Sequence, residues 1–356
     1  MKILAVALSG IGDALMFTPA VIKLKELMPD AEIDVLAMFK GVESIYANNP
    51  LINKILYYDF LHAKPFDALM YVLSIRGKYD AVINIYPSNR KEYNIISFLT
   101  GAKKRAAVKY LRMDFRNLGF LNNVVVKEDD SLHNVEENIR MVEKLTGKKI
   151  NEIPPLDFPL DDDDIDFASQ CINGVEIEDD EIVIGLHPGC AILKNHIKRR
   201  WEPEKFSQLG KRLIDELGAK ILIFGGPDEQ ELKENVFNGI NSKSAFIADT
   251  GSLAQTAAVM KRCNLFITND SSLMHVASAM RLNVIAIIGP TNTNYIRPWN
   301  TKHEIVSLNL ECSPCFYYSP KPLTCVRTDL QFKCIKELTP DMVYDAAVRA
   351  LKKEQL

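Results

Sequence analysis

Asn269–Ala279 reads NDSSLMHVASA. It follows Asn264–Thr268 (NLFIT) and precedes Asn283–Gly289 (NVIAIIG), two apolar runs. Between them helical spacing lasts only about ten residues, room for one short crossover between two buried parallel strands. Asp270, Ser271 and Ser272 therefore fall where a strand gives way to a helix. Free backbone N–H groups and the positive end of the helix dipole favour an anion there. His275 lies one turn further on, so its ring can face the same opening. Two readings stand side by side. Either Asp270 or Ser271 caps the helix and His275 is a core histidine, or these residues form a phosphate site.

Working outward, the same alternation recurs upstream. Ile182–Leu186 reads as a strand ending in His187-Pro188-Gly189, Pro203–Leu217 as a helix, and Lys220–Phe224 as a strand ending in Gly225-Gly226-Pro227. Glu229–Asn238 is a helix, Ala245–Ile247 a strand and Leu253–Arg262 a helix. The chain's opening repeats the theme. Ile3–Leu8 is a strand, Ser9–Asp13 (SGIGD) a tight turn, and Ala14–Met28 a helix kinked at Pro19. Strands follow at Glu32–Leu36, Lys54–Tyr58, Ala81–Ile85 and Val124–Val126, with helices at Phe66–Arg76 and Asn134–Leu145. This pattern predicts an α/β fold of two Rossmann-like, doubly wound domains, with their loop-bearing sheet edges facing a central cleft. Asn151–Asp166, with three prolines and the run Asp161–Asp164, marks the linker. The expected domains are 1–160, 161–340 and a C-terminal helix over 341–356.

The first turn is no dinucleotide fingerprint, because Leu15 stands where a third glycine is required. Asp13 is an acid where a phosphate loop avoids one. It reads either as a helix cap or as a carboxylate general base.

With 356 residues, 47% hydrophobic and 25% charged, the composition is that of a soluble globular protein of two domains. A net charge of −3 gives no support for nucleic-acid binding. The apolar stretch after Met1 is too short for a secretory signal, so a cytoplasmic protein is expected. Residues 1–160 carry 21 basic and 19 acidic side chains. Lys103, Lys104, Arg105, Lys109, Arg112 and Arg116, interleaved with Tyr110 and Phe115, form either a solvated surface or a docking patch for an anionic acceptor or membrane. Cys312, Cys315, Cys325 and Cys334 cluster as C-x2-C-x9-C-x8-C. Pro314 and Pro320–Pro322 make this a loop, read as reduced structural cysteines, a metal site or disulfides.

In order and spacing, Gly10-Ile11-Gly12-Asp13, Phe17-Thr18-Pro19-Ala20, His187-Pro188-Gly189 and Arg199-Arg200-Trp201 with Glu204 and Phe206 resemble the heptosyltransferase group of glycosyltransferases, family 9. Phe224–Pro227, Asn269–Ala279, Gly289-Pro290-Thr291 with Pro298, Cys312–Cys315 and Cys334-Ile335 extend the resemblance over essentially the whole chain. It implies the GT-B architecture, with acceptor in the N-terminal domain and sugar nucleotide in the C-terminal one. It also implies inverting transfer, without metal or cofactor, from an ADP-heptose-like donor to a lipid-linked glycan such as lipopolysaccharide core. That places the chain in the cytoplasm, at the inner membrane face. The family's base falls on Asp13, flanked by an acceptor-side loop of Gly10, Gly12 and Thr18. Its pyrophosphate loop falls on Asp270-Ser271-Ser272 with His275 beyond, and Gly251 joins the donor set. Its lysine corresponds to Arg199, or to Lys198 if the register slips, and Ser272 replaces a glycine. A nucleotide-sugar epimerase and a non-catalytic sugar-nucleotide-binding protein are the alternatives.

Overall fold

The structure, a computed structural model, describes residues 1–352 apart from 176, 179 and 318–321. The chain divides into two compact units, Met1–Pro159 and Leu160–Leu356.

In the first unit β1 (Lys2–Ala7) leads into α1 (Ile11–Leu15), α2 (Thr18–Leu27), β2 (Glu32–Ala37), α3 (Lys40–Ala47) and β3 (Lys54–Tyr57). α4 (Pro65–Ser74), β4 (Ala81–Asn84), α5 (Lys91–Leu99), β5 (Lys104–Lys109), β6 (Val124–Lys127) and α6 (Asn134–Thr146) complete it. The strands run parallel in the order β3-β2-β1-β4-β5-β6. Leu4, Val6 and Leu36 from the sheet meet Val72 and Ile75 of α4 and Tyr93 and Ile96 of α5 in one core.

The second unit begins with α7 (Asp162–Gly174), β7 (Val183–His187), α8 (Pro203–Leu217), β8 (Lys220–Ile223) and α9 (Gln230–Ile240). It continues through β9 (Ala245–Ile247), α10 (Leu253–Met260), β10 (Leu265–Asn269), α11 (Ser272–Ala279) and β11 (Asn283–Ile287). α12 (Thr293–Ile296), β12 (His303–Val306), α13 (Lys333–Lys336) and α14 (Pro340–Lys352) follow. Its parallel order, β12-β11-β10-β7-β8-β9, is that of the first unit read from the opposite edge. β7, β10 and β11 are buried along their whole length, which explains their unbroken apolar sequences.

Four sequence expectations change. Residues 14–28 form two helices, not one kinked helix: Pro19 sits in the first turn of α2, where its missing N–H costs nothing. The acidic run in the linker instead opens α7: Asp161 accepts from Asp164 N at 2.9 Å, and Asp162–Asp164 sit at the positive end of the helix dipole. The basic stretch contains β5, a strand the charged residues concealed. There Tyr110 is buried and stacked on Tyr86, Arg105 bonds the carbonyls of Leu121 and Ala102, and Arg112 pairs with Asp130. Lys103, Lys104, Lys109 and Arg116 remain exposed. The terminal helix begins at Pro340, and residues 353–356 and Pro320 lie outside the described residues.

In both sheets, successive connections switch direction between two central strands, β1/β4 and β7/β10, and ligands of such sheets bind beyond those strand ends. Gly185 lets β7 lie close to its neighbours here. A Cβ would stand 2.9 Å from Cε2 of the buried Phe266 ring and 3.1 Å from Cys263 Sγ. Gly185→Ala should therefore destabilise the protein by about 1–3 kcal/mol through overpacking. Urea unfolding of the variant, followed by fluorescence, would read this as a lower midpoint at unchanged slope.

Candidate functional site

The β7/β10 switch point carries the denser constellation. β10 ends at Asn269, whose side chain accepts from Trp201 N at 3.0 Å and donates to Pro188 O at 2.8 Å. One amide thus ties the loop after β10 to the loop after β7 and to the Arg199–Trp201 segment. Trp201 is fully buried and its ring N–H donates to Leu338 O at 2.9 Å, which anchors that segment from behind.

Arg199 and Asp270 are 9% and 5% exposed, and the guanidinium Nη1 meets the Asp270 carboxylate at 2.5 Å. Thr291, after β11, donates to the same carboxylate oxygen at 2.6 Å. The other side of Arg199 lies 3.3 Å from His196 Nδ1 and 5.6 Å from the centre of the Phe316 ring. Beside this pair runs a second chain of contacts. His187 Nε2 is 3.1 Å from Glu229, while Nδ1 is 3.0 Å from Ser271 Oγ and 3.2 Å from Thr268 Oγ1. An ionised carboxylate only accepts, so the ring proton sits on Nε2 and Nδ1 accepts from Ser271, while the Thr268 hydroxyl donates to Asn269 O at 2.9 Å. Burial alone would raise the Glu229 carboxyl, but His187, the Gly226 N–H and Arg200 together bring it below the usual range. Gly189 makes the approach possible, because a Cβ there would collide with the Glu229 carboxylate.

Ser271 occupies the N-cap position of α11, yet its side chain makes no cap bond. Its hydroxyl faces His187 and Thr268 instead, and Asp270 faces Arg199, so neither residue performs the capping role. Ser272 lies in the first turn outside the positive-φ residues, so a side chain in place of glycine brings no backbone strain. The first-turn N–H groups of α11 are left to be satisfied by something other than a cap, which suits an anion. Among the described residues, four buried nitrogens in this region have no hydrogen-bond partner: His196 Nε2, Arg199 Nε, Arg200 Nε and His275 Nδ1. His275 is 4% exposed, and burial holds it down at about 4 against the opposing charge of Asp270. It is buried, but it is not a satisfied core histidine.

The structure thus gathers Arg199, Asp270, Ser271, Ser272 and His275. Lys198 is exposed, and Gly251 follows the edge strand β9, where its N–H donates to Gln255 at 2.8 Å. His187, Glu229, Arg200, His196, Thr268 and Thr291 join the set without having been singled out for it. His187, Arg200 and Thr291 lay within the motifs of the resemblance and Thr268 at a strand end, while His196 and Glu229 carried no signal.

At the β1/β4 switch point Asp13 sits in α1, and its carboxylate accepts from Gly10 N at 3.2 Å. It lies near Tyr93 and Tyr110, both held above their usual range by burial, which outweighs the opposing Arg90 charge at Tyr93 and the Ser88 hydrogen bond at Tyr110, while the Asp13 charge adds to both. Ser9 donates to Pro87 O at 2.9 Å and Tyr93 to Leu8 O at 2.5 Å, bonding the β1 loop to the β4 side. Gly12 falls inside α1. Thr18 is fully buried, donating to Leu15 O at 2.8 Å and accepting from Asp157 N at 2.9 Å, so it braces this loop from beneath.

All four clustered cysteines are free thiols. Cys325 Sγ accepts from Phe332 N at 3.2 Å. Burial first, and neighbouring sulfurs second, push Cys315 up and Cys334 up to about 11. Among the described residues no group of three or more His, Cys, Asp or Glu is arranged to hold a metal.

Two outcomes follow from the burial of these charges. Arg199→Ala strands Asp270 without its counter-ion and should cost about 3–5 kcal/mol of stability, so its binding defect cannot be read alone. Arg199→Lys, which keeps the charge, should recover most of that stability in thermal unfolding. The histidines add a pH term. His275 and His196 both fall from 6.5 to about 4 through burial, the latter also through Arg199. Between these values the unfolded chain binds more protons than the folded one, so stability falls as pH drops. In His275→Asn this slope should be shallower by one proton, about 1.4 kcal/mol per pH unit, as read by urea titrations across the window.

Residues 72–324 match the profile of Glycosyltransferase family 9 (heptosyltransferase). A lipooligosaccharide heptosyltransferase 2 of Campylobacter jejuni is 24% identical over 361 residues, covering 100% of both chains. Lipopolysaccharide heptosyltransferase 2 of Escherichia coli K12 is 26% identical over 318 residues, 86% of this chain and 88% of that one. The solved E. coli ADP-heptose lps heptosyltransferase II superposes with a TM-score of 0.75 at 21% identity, covering 100% of both, and shows the same GT-B fold. With two Rossmann-like sheets and a profile match over most of its length, the chain belongs to glycosyltransferase family 9, the heptosyltransferases.

Proposed function

We propose that this glycosyltransferase moves a heptose or related sugar from an ADP-activated donor to a lipid-linked glycan such as lipopolysaccharide core. The observation that carries the reading is the β7/β10 switch point. An uncapped helix start, a buried arginine with an unpartnered Nε and a buried histidine with an unpartnered Nδ1 converge there. A diphosphate would satisfy all three, because its oxygens accept from backbone N–H, guanidinium and a protonated imidazole nitrogen alike. The curated relatives named for heptosyl transfer to lipopolysaccharide and lipooligosaccharide support the sugar and the acceptor class.

In this reading the second unit holds the donor through Arg199, Ser271, Ser272 and His275, and the first unit holds the acceptor beside Gly10, Gly12 and Asp13. Asp13 takes the proton of the attacking hydroxyl. The hydroxyl oxygen bonds to the anomeric carbon as the bond to the diphosphate breaks, and the nucleoside diphosphate leaves with the electron pair. The attack comes from the face opposite the leaving group, inverting the centre without a metal. The enzyme works in the cytoplasm at the inner membrane surface, where its acceptor is anchored. No helix of the described residues is long and apolar enough to cross a membrane. Nothing in the site favours the epimerase reading, and the backbone of Ser272, outside the positive-φ region, supports a catalytic reading over the non-catalytic one that Ser272 and Arg199 had suggested.

Asp13→Asn tests the proposal. Asp13 is not the N-cap of α1, which is Gly10, but the side-chain oxygen of asparagine can accept from Gly10 N as the carboxylate does, so stability should hold. Sugar-nucleotide binding, read by calorimetry, should be unchanged, while acceptor-dependent nucleotide release slows at least about a hundredfold. Near-normal turnover would remove Asp13 from the mechanism.

A further inference from the structure

α4 places Phe66, Leu69, Met70 and Leu73 at the i, i+3, i+4, i+7 spacing of a buried stripe, yet all four are exposed, Phe66 to 69%. The helix is not simply misplaced. Val72 is buried from the same helix and Ile75 from its C-cap, both in the core against the sheet. α4 is therefore apolar on both faces, a pattern otherwise found where a helix is covered on both sides.

The outward face continues onto its neighbours. Arg76 at the end of α4 donates to Leu99 O at the end of α5 at 2.9 Å, holding the two helices side by side. α5 exposes Phe98, with Arg105 5.5 Å over its ring. Between β5 and β6 no crossover α-helix forms, only a 3-10 turn at Gly119–Leu121. Residues 110–121 take its place and expose Phe115, to 81%, and Phe120, whose rings lie 5.5 Å apart. Buried amides hold that segment firmly: Asn94 donates to Asn117 O at 2.7 Å and accepts from Asn122 at 2.8 Å. An apolar surface so well supported marks an interaction site rather than a frayed edge.

We propose that the outer surface of α4, α5 and residues 110–121 is a docking face for an anionic lipid surface. Charge decides the occupant. Residues 90–116 contain eight Lys or Arg and two acids, so the flank of this face is predominantly cationic even with Arg112 paired to Asp130. Two copies meeting through this face would set like charges together, whereas an anionic bilayer matches both the cations and the apolar stripe. α4 is short and lies along the sheet, so its stripe can enter the headgroup boundary lengthwise. The inference deepens the reading above, in which the acceptor is lipid-linked, by naming the surface that meets the lipid.

Co-sedimentation of the full chain with phosphatidylcholine vesicles, with and without phosphatidylglycerol, tests it. The wild type should bind anionic vesicles at least about tenfold more tightly than neutral ones, and Phe66→Ser/Met70→Ser should lose about tenfold of that affinity with an unchanged melting temperature. Transfer to a soluble, delipidated acceptor should be unaffected by the double substitution. Absent vesicle binding, or equal binding by the variant, would overturn the proposal. So would a wild-type dimer in size-exclusion chromatography that the variant dissociates, which would assign the face to a second copy. Vesicle binding needs neither donor nor acceptor, so its failure leaves the transfer reading standing, and failed transfer leaves the docking face standing.

Discussion

The buried ion pair between Arg199 and Asp270 constrains the second unit more than any other contact. Removing two charges from water costs several kcal/mol each unless both are paired and hydrogen-bonded. Asp270 meets that demand with Arg199 and Thr291, and Arg199 with Asp270, His196 and the Phe316 ring. These partners come from the loops after β7, β10 and β11 and from the segment beyond α12. Satisfying one ion pair therefore fixes four separate pieces of chain around one point.

The arrangement leaves capacity over. Arg199 still has Nε, His196 still has Nε2, and His275 sits neutral with an unpartnered Nδ1. Buried polar atoms without partners are costly, and four of them in one neighbourhood is more than a structural role requires. The Ser271–His187–Glu229 chain beside them directs the Ser271 hydroxyl away from the helix end, which keeps the start of α11 uncapped. A stability optimum would have closed this helix with a cap; this site stays open instead.

The two units share one topology and furnish it with different charged groups. At β1/β4 the strand end presents a carboxylate, Asp13, held against Gly10 N. At β7/β10 it presents two arginine–carboxylate pairs, Arg199–Asp270 and Arg200–Glu229, beside imidazoles and a helix N-terminus. The parallel order brings loops to one edge in both cases, and the side chains alone decide what each edge attracts.

Much of this was legible in the amino-acid order. Unbroken apolar runs of five residues separated by helical spacing are what a buried parallel sheet demands, and they placed β7, β10 and β11 within a residue or two of their bounds. Asp270, Ser271 and His275 could be grouped because they lie on one turn of chain. What the chain could not show by itself was pairing over distance. Arg199 and Asp270 are 71 residues apart, and His187 and Glu229 are 42 apart. Only parallel strand order sets them beside each other. β5 was hidden because its lysines and arginine project from the ends of a buried strand, so charge masked the Ala-Ala-Val core. The outward stripe of α4 was hidden for the converse reason. Apolar helical spacing implies burial, and whether a neighbour is there to provide it is settled only when the chain has folded.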